Sequence, residues 1–148
     1  LEGETVAVLA DGAAHPDCVV SGGEIQLARS ASRVAVGYAY NSNIETLNIE
    51  AGAADGTSQG KTKRINRVVF RFHKTLGVLY GPNEDQLDIL TFRTAADLMN
   101  NPVALFTGDK GVTWNSGYET TGRIYMRQYQ PLPFTLLGIF PQITTQDR

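Results

Sequence analysis

The sequence predicts an all-β domain, an antiparallel sandwich or barrel of short strands with at most one short helix. Short runs rich in valine, isoleucine, threonine, tyrosine and phenylalanine recur along the 148 residues, and 15 glycines separate many of them. Runs of this kind, divided by turn residues, are typical of β-sandwiches and barrels. About ten strands fit the pattern. We therefore expect at least about 35% strand and less than about 15% helix, against a usual ~20–25% strand.

The first third of the chain contains five of these strand patterns and two glycine turns. Asp11-Gly12 predicts a hairpin turn, because glycine tolerates a positive φ, and Gly22-Gly23 predicts a second turn. The predicted strands lie at residues 5–9, 18–20, 24–27, 33–40 and, as an extended or edge strand, at 44–49.

The remainder of the chain continues the pattern. Residues 135–140 are apolar on both faces, which predicts a central strand. The only predicted helix covers residues 95–101 and ends before Pro102. Glycine-rich segments at 108–111 and 115–117 read as turns on either side of 112–114. The other predicted strands lie at residues 63–75, 76–81, 89–92 and 123–129, with an acidic turn at 82–88.

The segment at 51–60 reads as a loop, because its residues are small or polar and include three glycines. It is the best candidate boundary within a single β-rich domain that spans residues 1–148. The loop would join a hairpin module at 1–50 to a sandwich at 61–148, or both parts would share one core. Because the sequence opens on Leu1 and runs almost directly into a strand, we expect it to be the C-terminal piece of a longer chain.

Composition excludes several classes of protein. The 13 basic and 15 acidic residues give a net charge of −2, which does not favour a dedicated nucleic-acid-binding domain. No apolar run approaches the ~20 residues of a membrane helix, and no signal peptide is visible. The single cysteine, Cys18, rules out an internal disulfide and a cysteine-rich metal site. Its neighbours Val19 and Val20 favour a buried, unreactive thiol.

No pattern of catalytic residues is present, so we predict no enzyme, no cofactor and no metal. His15 precedes a proline and His73 lies on the polar face of a strand, so both are expected at the surface. No glycine-rich loop leads into a helix that could hold phosphate. The acidic group Glu84, Asp85 and Asp88 lacks the spacing of a calcium loop and reads as a solvated turn.

The strongest charge feature is a basic stretch with no acidic residue in it. Six of fourteen residues are positively charged, namely Lys61, Lys63, Arg64, Arg67, Arg71 and Lys74. One interpretation is a contact with DNA or with an acidic partner surface. The other, which is the more common arrangement, is an edge strand whose charges prevent sheets from pairing edge to edge.

Two further groups of residues would suit carbohydrate binding or cleavage. Four aromatic residues, Trp114, Tyr118, Tyr125 and Tyr129, would form a sugar-binding platform if they were exposed, although such residues more often lie in a core or an interface. A polysaccharide-cleaving enzyme would need two carboxylates about 5–9 Å apart. Glu119 and Asp109 are the candidate carboxylate pair for such an enzyme.

Several segments resemble, in the same order, the C-terminal part of proteins from tailed phages. The segments are LEGETVAVLADGAAHP at 1–16, the Gly22-Gly23 turn with the residues after it, AGAADGTSQGKTKRI at 51–65, LFTGDK at 105–110 and QPLPFTLL at 130–137. The family comprises tail nozzle, tail tubular and packaged-DNA stabilisation proteins of podovirus-like phages. Together the segments are spread from residue 1 to residue 137.

The resemblance implies a structural virion protein. Copies would form an oligomeric ring that retains packaged DNA and guides its ejection. The implied partners are other copies of the chain, other tail and portal-proximal proteins, and packaged DNA in a non-specific contact, with no membrane. The implied location is the virion, after synthesis in the bacterial host cytoplasm. The alternative from another class is a carbohydrate-binding β-sandwich module of a fibre or of a secreted enzyme.

Overall fold

The computed structural model describes residues 1–50, 52, 56–99 and 101–146. Strand accounts for 51%, no helix occurs in these ranges, and the strands form three antiparallel sheets without a closed barrel. The all-β prediction is therefore confirmed, as is the predicted proportion of strand. The strands are β1 Thr5–Ala10, β2 Ala13–Val19, β3 Val34–Gly37, β4 Ser42–Glu45, β5 Thr62–Thr75, β6 Val78–Asn83, β7 Gln86–Ile89, β8 Phe106–Thr113, β9 Tyr125–Gln128 and β10 Leu136–Gln146.

In the part of the chain that the structure describes, no helix has the length and hydropathy needed to cross a membrane.

The first sheet has the strand order β2-β1-β3. Asp11 and Gly12 join β1 to β2 with φ angles of 51° and 81°. Two consecutive positive φ angles define the tight turn whose twist matches a hairpin, so the predicted turn is confirmed. Gly22 and Gly23 form the second predicted turn, also at positive φ.

The other two sheets pack against each other around the larger core. Their orders are β10-β5-β8 and β4-β9-β6-β7. Aromatic rings bridge the two: the ring centroids of Phe70 and Tyr80 are 5.9 Å apart, and those of Tyr80 and Trp114 are 5.7 Å apart. The buried members of this cluster are Ile65, Val68, Phe70, Phe72, Val78, Leu90, Trp114, Ile124 and Met126.

A second, smaller cluster lies in the first sheet. It consists of Val6, Val8, Cys18 and Val20, with Ile25 and Leu27 packed against it. Strand β4 pairs with β9 and belongs to the larger cluster. The proposed division at 51–60 stays a prediction, and residues 51 and 53–55 of that loop lie outside the described ranges.

Three strand predictions in the first sheet need correction. The return strand predicted at 18–20 is β2, which begins at Ala13 and ends at Val19. Residues 24–27 form no strand, and only Glu24 makes an isolated bridge, to Ser21. Just after this segment, the backbone bonds to a side chain and not to a neighbouring strand: the Ala28 amide donates to His15 Nε2 at 2.9 Å. The strand predicted at 33–40 is limited to Val34–Gly37.

The predicted helix at 95–101 is also wrong, within the part that the structure describes; Asn100 lies outside it. Single turns take its place: the Asp97 amide donates to the Thr94 carbonyl, and the Asn101 amide donates to the Leu98 carbonyl. Asp97 Oδ2 accepts from the Thr94 amide at 2.6 Å, and the Arg93 guanidinium donates to the carbonyls of Leu98 and Asn101. The result is a series of turns.

Three predictions in the second half need correction. Residues 108–111 lie inside β8 and are not a turn. The strand predicted at 89–92 begins and ends three residues earlier, as β7, Gln86–Ile89. The turn before it also lies earlier than predicted, because the Asn83 side chain accepts hydrogen bonds from the Asp85 and Gln86 amides. Strand β10 is an edge strand and not a central one, since it pairs only with β5.

Candidate nucleic-acid interface

The basic stretch forms β5, the longest strand, whose two faces differ in character. Val68, Phe70 and Phe72 point into the core, whereas Arg67 and Arg71 lie on the exposed face, as the alternation predicts. Strand β5 is the central strand of its sheet, between β10 and β8. The interpretation of this stretch as a protective edge strand is therefore wrong.

A β-bulge in the β5–β10 ladder changes which residues face the core. Arg67 pairs with Gln142 and Ile65 pairs with Ile143, so Asn66 has no partner residue between them. An extra residue in one strand shifts the alternation of side chains by one position. Before the bulge, odd-numbered residues point inward; after it, even-numbered residues do.

Lys63 is consequently buried and not available for DNA, which corrects the prediction for this residue. It is 0% exposed, and its Nζ donates to the Ile49 carbonyl at 2.9 Å. Its backbone pairs with Glu119. The aliphatic part of the side chain lies so close to Gly122 that a Cβ at that glycine would be 2.7 Å from Lys63 Cδ. Lys63 therefore anchors the segment that precedes the 51–60 loop.

Arg71 is held by one residue from each neighbouring strand. Its Nε donates to Asp109 Oδ1 at 2.7 Å and its second nitrogen to Oδ2 at 2.8 Å, while the guanidinium lies 5.1 Å from the Phe140 ring centroid. The hydrogen bond from Arg71 lowers the pKa of Asp109, and the same bond raises the pKa of Arg71. Both side chains stay about half exposed. Arg71 is thus fixed in position, with its charge largely balanced.

Arg67 and Arg64 extend the exposed face away from Arg71. The Arg67 guanidinium lies over Gly111 of β8, where an added Cβ would be 2.6 Å from its terminal nitrogen. The Arg64 guanidinium lies 5.9 Å from the ring centroid of Tyr118. Glycine at 111 leaves room for this close approach of the Arg67 side chain. We call Arg64, Arg67 and Arg71 the arginine face.

The two outermost lysines of the stretch lie at the ends of β5. Lys61 precedes the strand and is half-buried, and its amide donates to the Ser58 carbonyl. Lys74 is exposed near the other end with a φ of 46°, and its amide donates to Thr107 Oγ1 at 3.0 Å. Of the six predicted contact residues, the structure therefore brings three arginines together on one face.

The arginine face carries an excess of positive charge. Three arginines and one carboxylate leave two positive charges in excess. Guanidinium groups that are already oriented by a ring, a carboxylate or a backbone lose little freedom on binding phosphate. Asp109, Phe140 and Gly111 were missed as contributors, because their strands meet β5 only in the folded chain. Gly111, a glycine inside a run of strand-forming residues, was the one sequence feature that could have indicated the close approach of a neighbouring side chain.

The two histidines have different environments. His73 is exposed as expected. His15 is 7% exposed, so the prediction of a surface position is wrong. Its Nε2 accepts from the Ala28 amide and its Nδ1 lies 2.8 Å from the Pro16 carbonyl, so the ring proton belongs on Nδ1. Cys18 is buried and free as predicted, with its thiol directed at backbone carbonyls.

The proposed aromatic platform is divided between core and surface. Trp114 and Tyr125 are buried at 3% and 7% exposure, whereas Tyr118 and Tyr129 are about half exposed. The four rings therefore do not form one exposed row.

The proposed carboxylate pair is also separated. Asp109 pairs with Arg71 and Glu119 with Lys63, positions eight residues apart on one strand, or about 26 Å at ~3.3 Å per residue. That separation is too great for hydrolysis by two carboxylates. Within the described ranges, no three side chains of histidine, cysteine, aspartate or glutamate group in a way that could hold a metal ion.

Comparison with known proteins gives no assignment: no protein-family model matches the chain, and no curated protein matches it significantly.

Proposed function

We propose that this domain is a structural subunit of a phage tail, part of an oligomeric ring that retains and guides packaged DNA without catalysing a reaction. Two features support the proposal. The first is the resemblance to tail nozzle, tail tubular and packaged-DNA stabilisation proteins, in segments spread from residue 1 to residue 137. The second is the arginine face, which lies on a sheet built on a packed aromatic core.

The arginine face is the observation that carries the DNA contact. A channel that both holds and releases DNA needs few contacts that depend strongly on salt. Each neutralised phosphate contributes a slope of about −0.9 to the dependence of log K on log salt concentration. Two or three contacts per subunit would give a slope of about −2 to −3, so one subunit binds weakly and a ring of subunits binds by summation.

The test compares two double variants that remove the same charge. Arg64→Gln with Arg67→Gln removes the two arginines that are not paired with Asp109. Arg33→Gln with Arg123→Gln removes two exposed arginines elsewhere. Binding of double-stranded DNA is measured across a salt series for the unaltered chain and for both variants. We expect the first variant to weaken binding and to reduce the salt slope by roughly two, with the control unchanged.

The outcome that contradicts the DNA contact is equal binding by both variants. Sedimentation velocity on the same samples reports the oligomeric mass, so a loss of assembly is distinguished from a loss of DNA binding. The carbohydrate-binding alternative has less support, because half of its aromatic platform is buried in the core.

A further inference from the structure

One strand at a sheet edge carries neither a charge nor a proline, the residues that commonly prevent edge-to-edge pairing. Among the described strands, six lie at edges: β2, β3, β4, β7, β8 and β10. Five of them carry a charge or a proline in the strand. The blocking residues are Pro16 and Asp17 in β2, Glu45 in β4, Asp88 in β7, Asp109 and Lys110 in β8, and Pro141 in β10. Strand β3, Val-Ala-Val-Gly, has neither, and it pairs with β1 without a bulge. Natural proteins block exposed edges in these ways, so an unblocked edge indicates a pairing site.

The open side of β3 presents the backbone groups of Val34 and Val36. Both backbone groups of Arg33 point towards β1: its carbonyl accepts from the Asp11 amide, and its amide donates to Asp11 Oδ1. Backbone direction alternates along a strand, so Ala35 and Gly37 also bond to β1. The amides and carbonyls of Val34 and Val36 therefore point away from the sheet, and β3 has no second partner strand in the described ranges.

A cleft next to this edge is lined entirely by uncharged residues. Its volume is about 480 Å³, and its lining includes the stretch from Ala35 to Tyr40 and the stretch from Gln128 to Phe134. Ala7 and Leu9 of β1 also line it. The volume is large enough for several bulky side chains. The absence of charge favours an occupant that is itself uncharged.

A second copy of β3 would leave this cleft unfilled. In an antiparallel pairing through the outward backbone groups of Val34 and Val36, Ala35 of one copy stands opposite Ala35 of the other. Residues opposite each other share a sheet face, so only two methyl groups would reach the cleft side. An unfilled cleft forfeits contacts, and a strand with larger side chains at these positions avoids that loss.

We infer that β3 takes an extended, uncharged segment of another polypeptide as a fourth strand, with bulky apolar side chains at alternate positions in the cleft. Main-chain hydrogen bonds to Val34 and Val36 would provide affinity, and the cleft would provide selectivity for side chains. The inference does not depend on DNA binding, because the arginine face belongs to a different sheet.

The test uses a synthetic heptapeptide of alternating threonine and leucine, acetylated and amidated so that it has no charge. Hydrogen exchange of individual amides is followed by NMR with and without the peptide. We expect exchange at the Val34 and Val36 amides to slow by about tenfold or more, while the amides of Ala35 and Gly37, already bonded to β1, change little. A heptapeptide of threonine alone should bind more weakly, because it leaves the cleft unfilled.

Val36→Pro removes one outward amide without removing a bond to β1. Its matched control is Val19→Pro on β2, the opposite edge of the same sheet. There the backbone groups of Val20 bond to the Glu4 carbonyl and the Gly3 amide, so those of Val19 point outward. We expect Val36→Pro to weaken peptide binding by about tenfold or more and the control to leave it unchanged. If the proline variant does not fold, Val36→Lys and Val19→Lys replace the pair.

Three results would overturn the inference. The first is no slowing of exchange at Val34 and Val36 at about 1 mM peptide, the weakest affinity considered. The second is equal peptide affinity in the Val36 and Val19 variants. The third is self-association of the unaltered chain that Val36→Pro abolishes, which would make a second copy the occupant.

Discussion

The assignment of the two faces of the β10-β5-β8 sheet can be tested with one pair of substitutions. Phe72 on β5 points into the core and is 0% exposed, whereas Phe140 on β10 lies on the opposite face and is 48% exposed. Changing each to alanine removes the same atoms from the same sheet. The difference in stability therefore reports which face is buried, and with it whether the arginine face is accessible.

The contacts of the two rings set the expected magnitudes. Phe72 packs against Phe70, Phe92 and Phe134 at centroid distances of 6.0, 5.8 and 6.4 Å. Removing a ring of this kind from a core costs about 3–5 kcal/mol of unfolding free energy. The Phe140 ring contacts Arg71 at 5.1 Å and is half solvated. Its loss should cost roughly 1–1.5 kcal/mol, from partial burial and one exposed cation–π contact.

Thermal and urea unfolding measure this difference directly. For a domain of this size each kcal/mol lowers the midpoint by about 2–4 °C, so Phe72→Ala should melt roughly 6–20 °C lower and Phe140→Ala about 2–6 °C lower. Equal losses would refute the reasoning. They would mean that the Phe140 face is buried, and then Arg67 and Arg71 could not contact DNA.

Two further predictions concern a packed glycine and an ion pair. A Cβ at Gly81 would lie 1.8 Å from the Gln86 carbonyl oxygen, so Gly81→Ala should lower the unfolding free energy measured in urea by about 1–3 kcal/mol or more. The control Gly117→Ala has open space around it and should leave the unfolding free energy nearly unchanged. Equal stabilities of the two variants would contradict the packing at Gly81. Because Arg71 lowers the pKa of Asp109, this carboxylate stabilises the fold above its unfolded value near ~3.9, and the contribution is lost as pH falls through the lower folded value. Asp109→Asn should therefore flatten the decline of unfolding free energy on acidification in that range, and an unchanged pH profile would show that the pair does not contribute.

The sequence predicted β5 within one residue because its alternation is long and regular. It could not predict the bulge at Asn66, since a bulge depends on the register with β10, more than seventy residues away. That one extra residue turned Lys63 inward while leaving Arg67 and Arg71 outward. Val68, Phe70 and Phe72 after the bulge face the core, and so does Lys63 before it, which the sequence predicts as a contact residue.

Glycines and polar side chains account for most of the remaining errors. Gly108 and Gly111 were interpreted as turn residues because their neighbours Asp109 and Lys110 are polar, yet all four lie in β8. Local patterns do not distinguish a glycine that bends the chain from one that admits a neighbouring arginine. The burial of His15 could not be predicted from the sequence either, because its hydrogen-bond partner Ala28 is thirteen residues away in a segment with no regular structure.

The division of the core into clusters of unequal size has a consequence for how the chain loses its structure. The smaller cluster has four buried side chains and the larger has nine. Cooperative units with fewer apolar contacts open at lower free energy. The hairpin of β1 and β2, together with β3, should therefore undergo subglobal opening while the larger sheets stay intact. Such openings expose Cys18 and the apolar strands around it, so the first sheet sets the tendency of the isolated chain to aggregate.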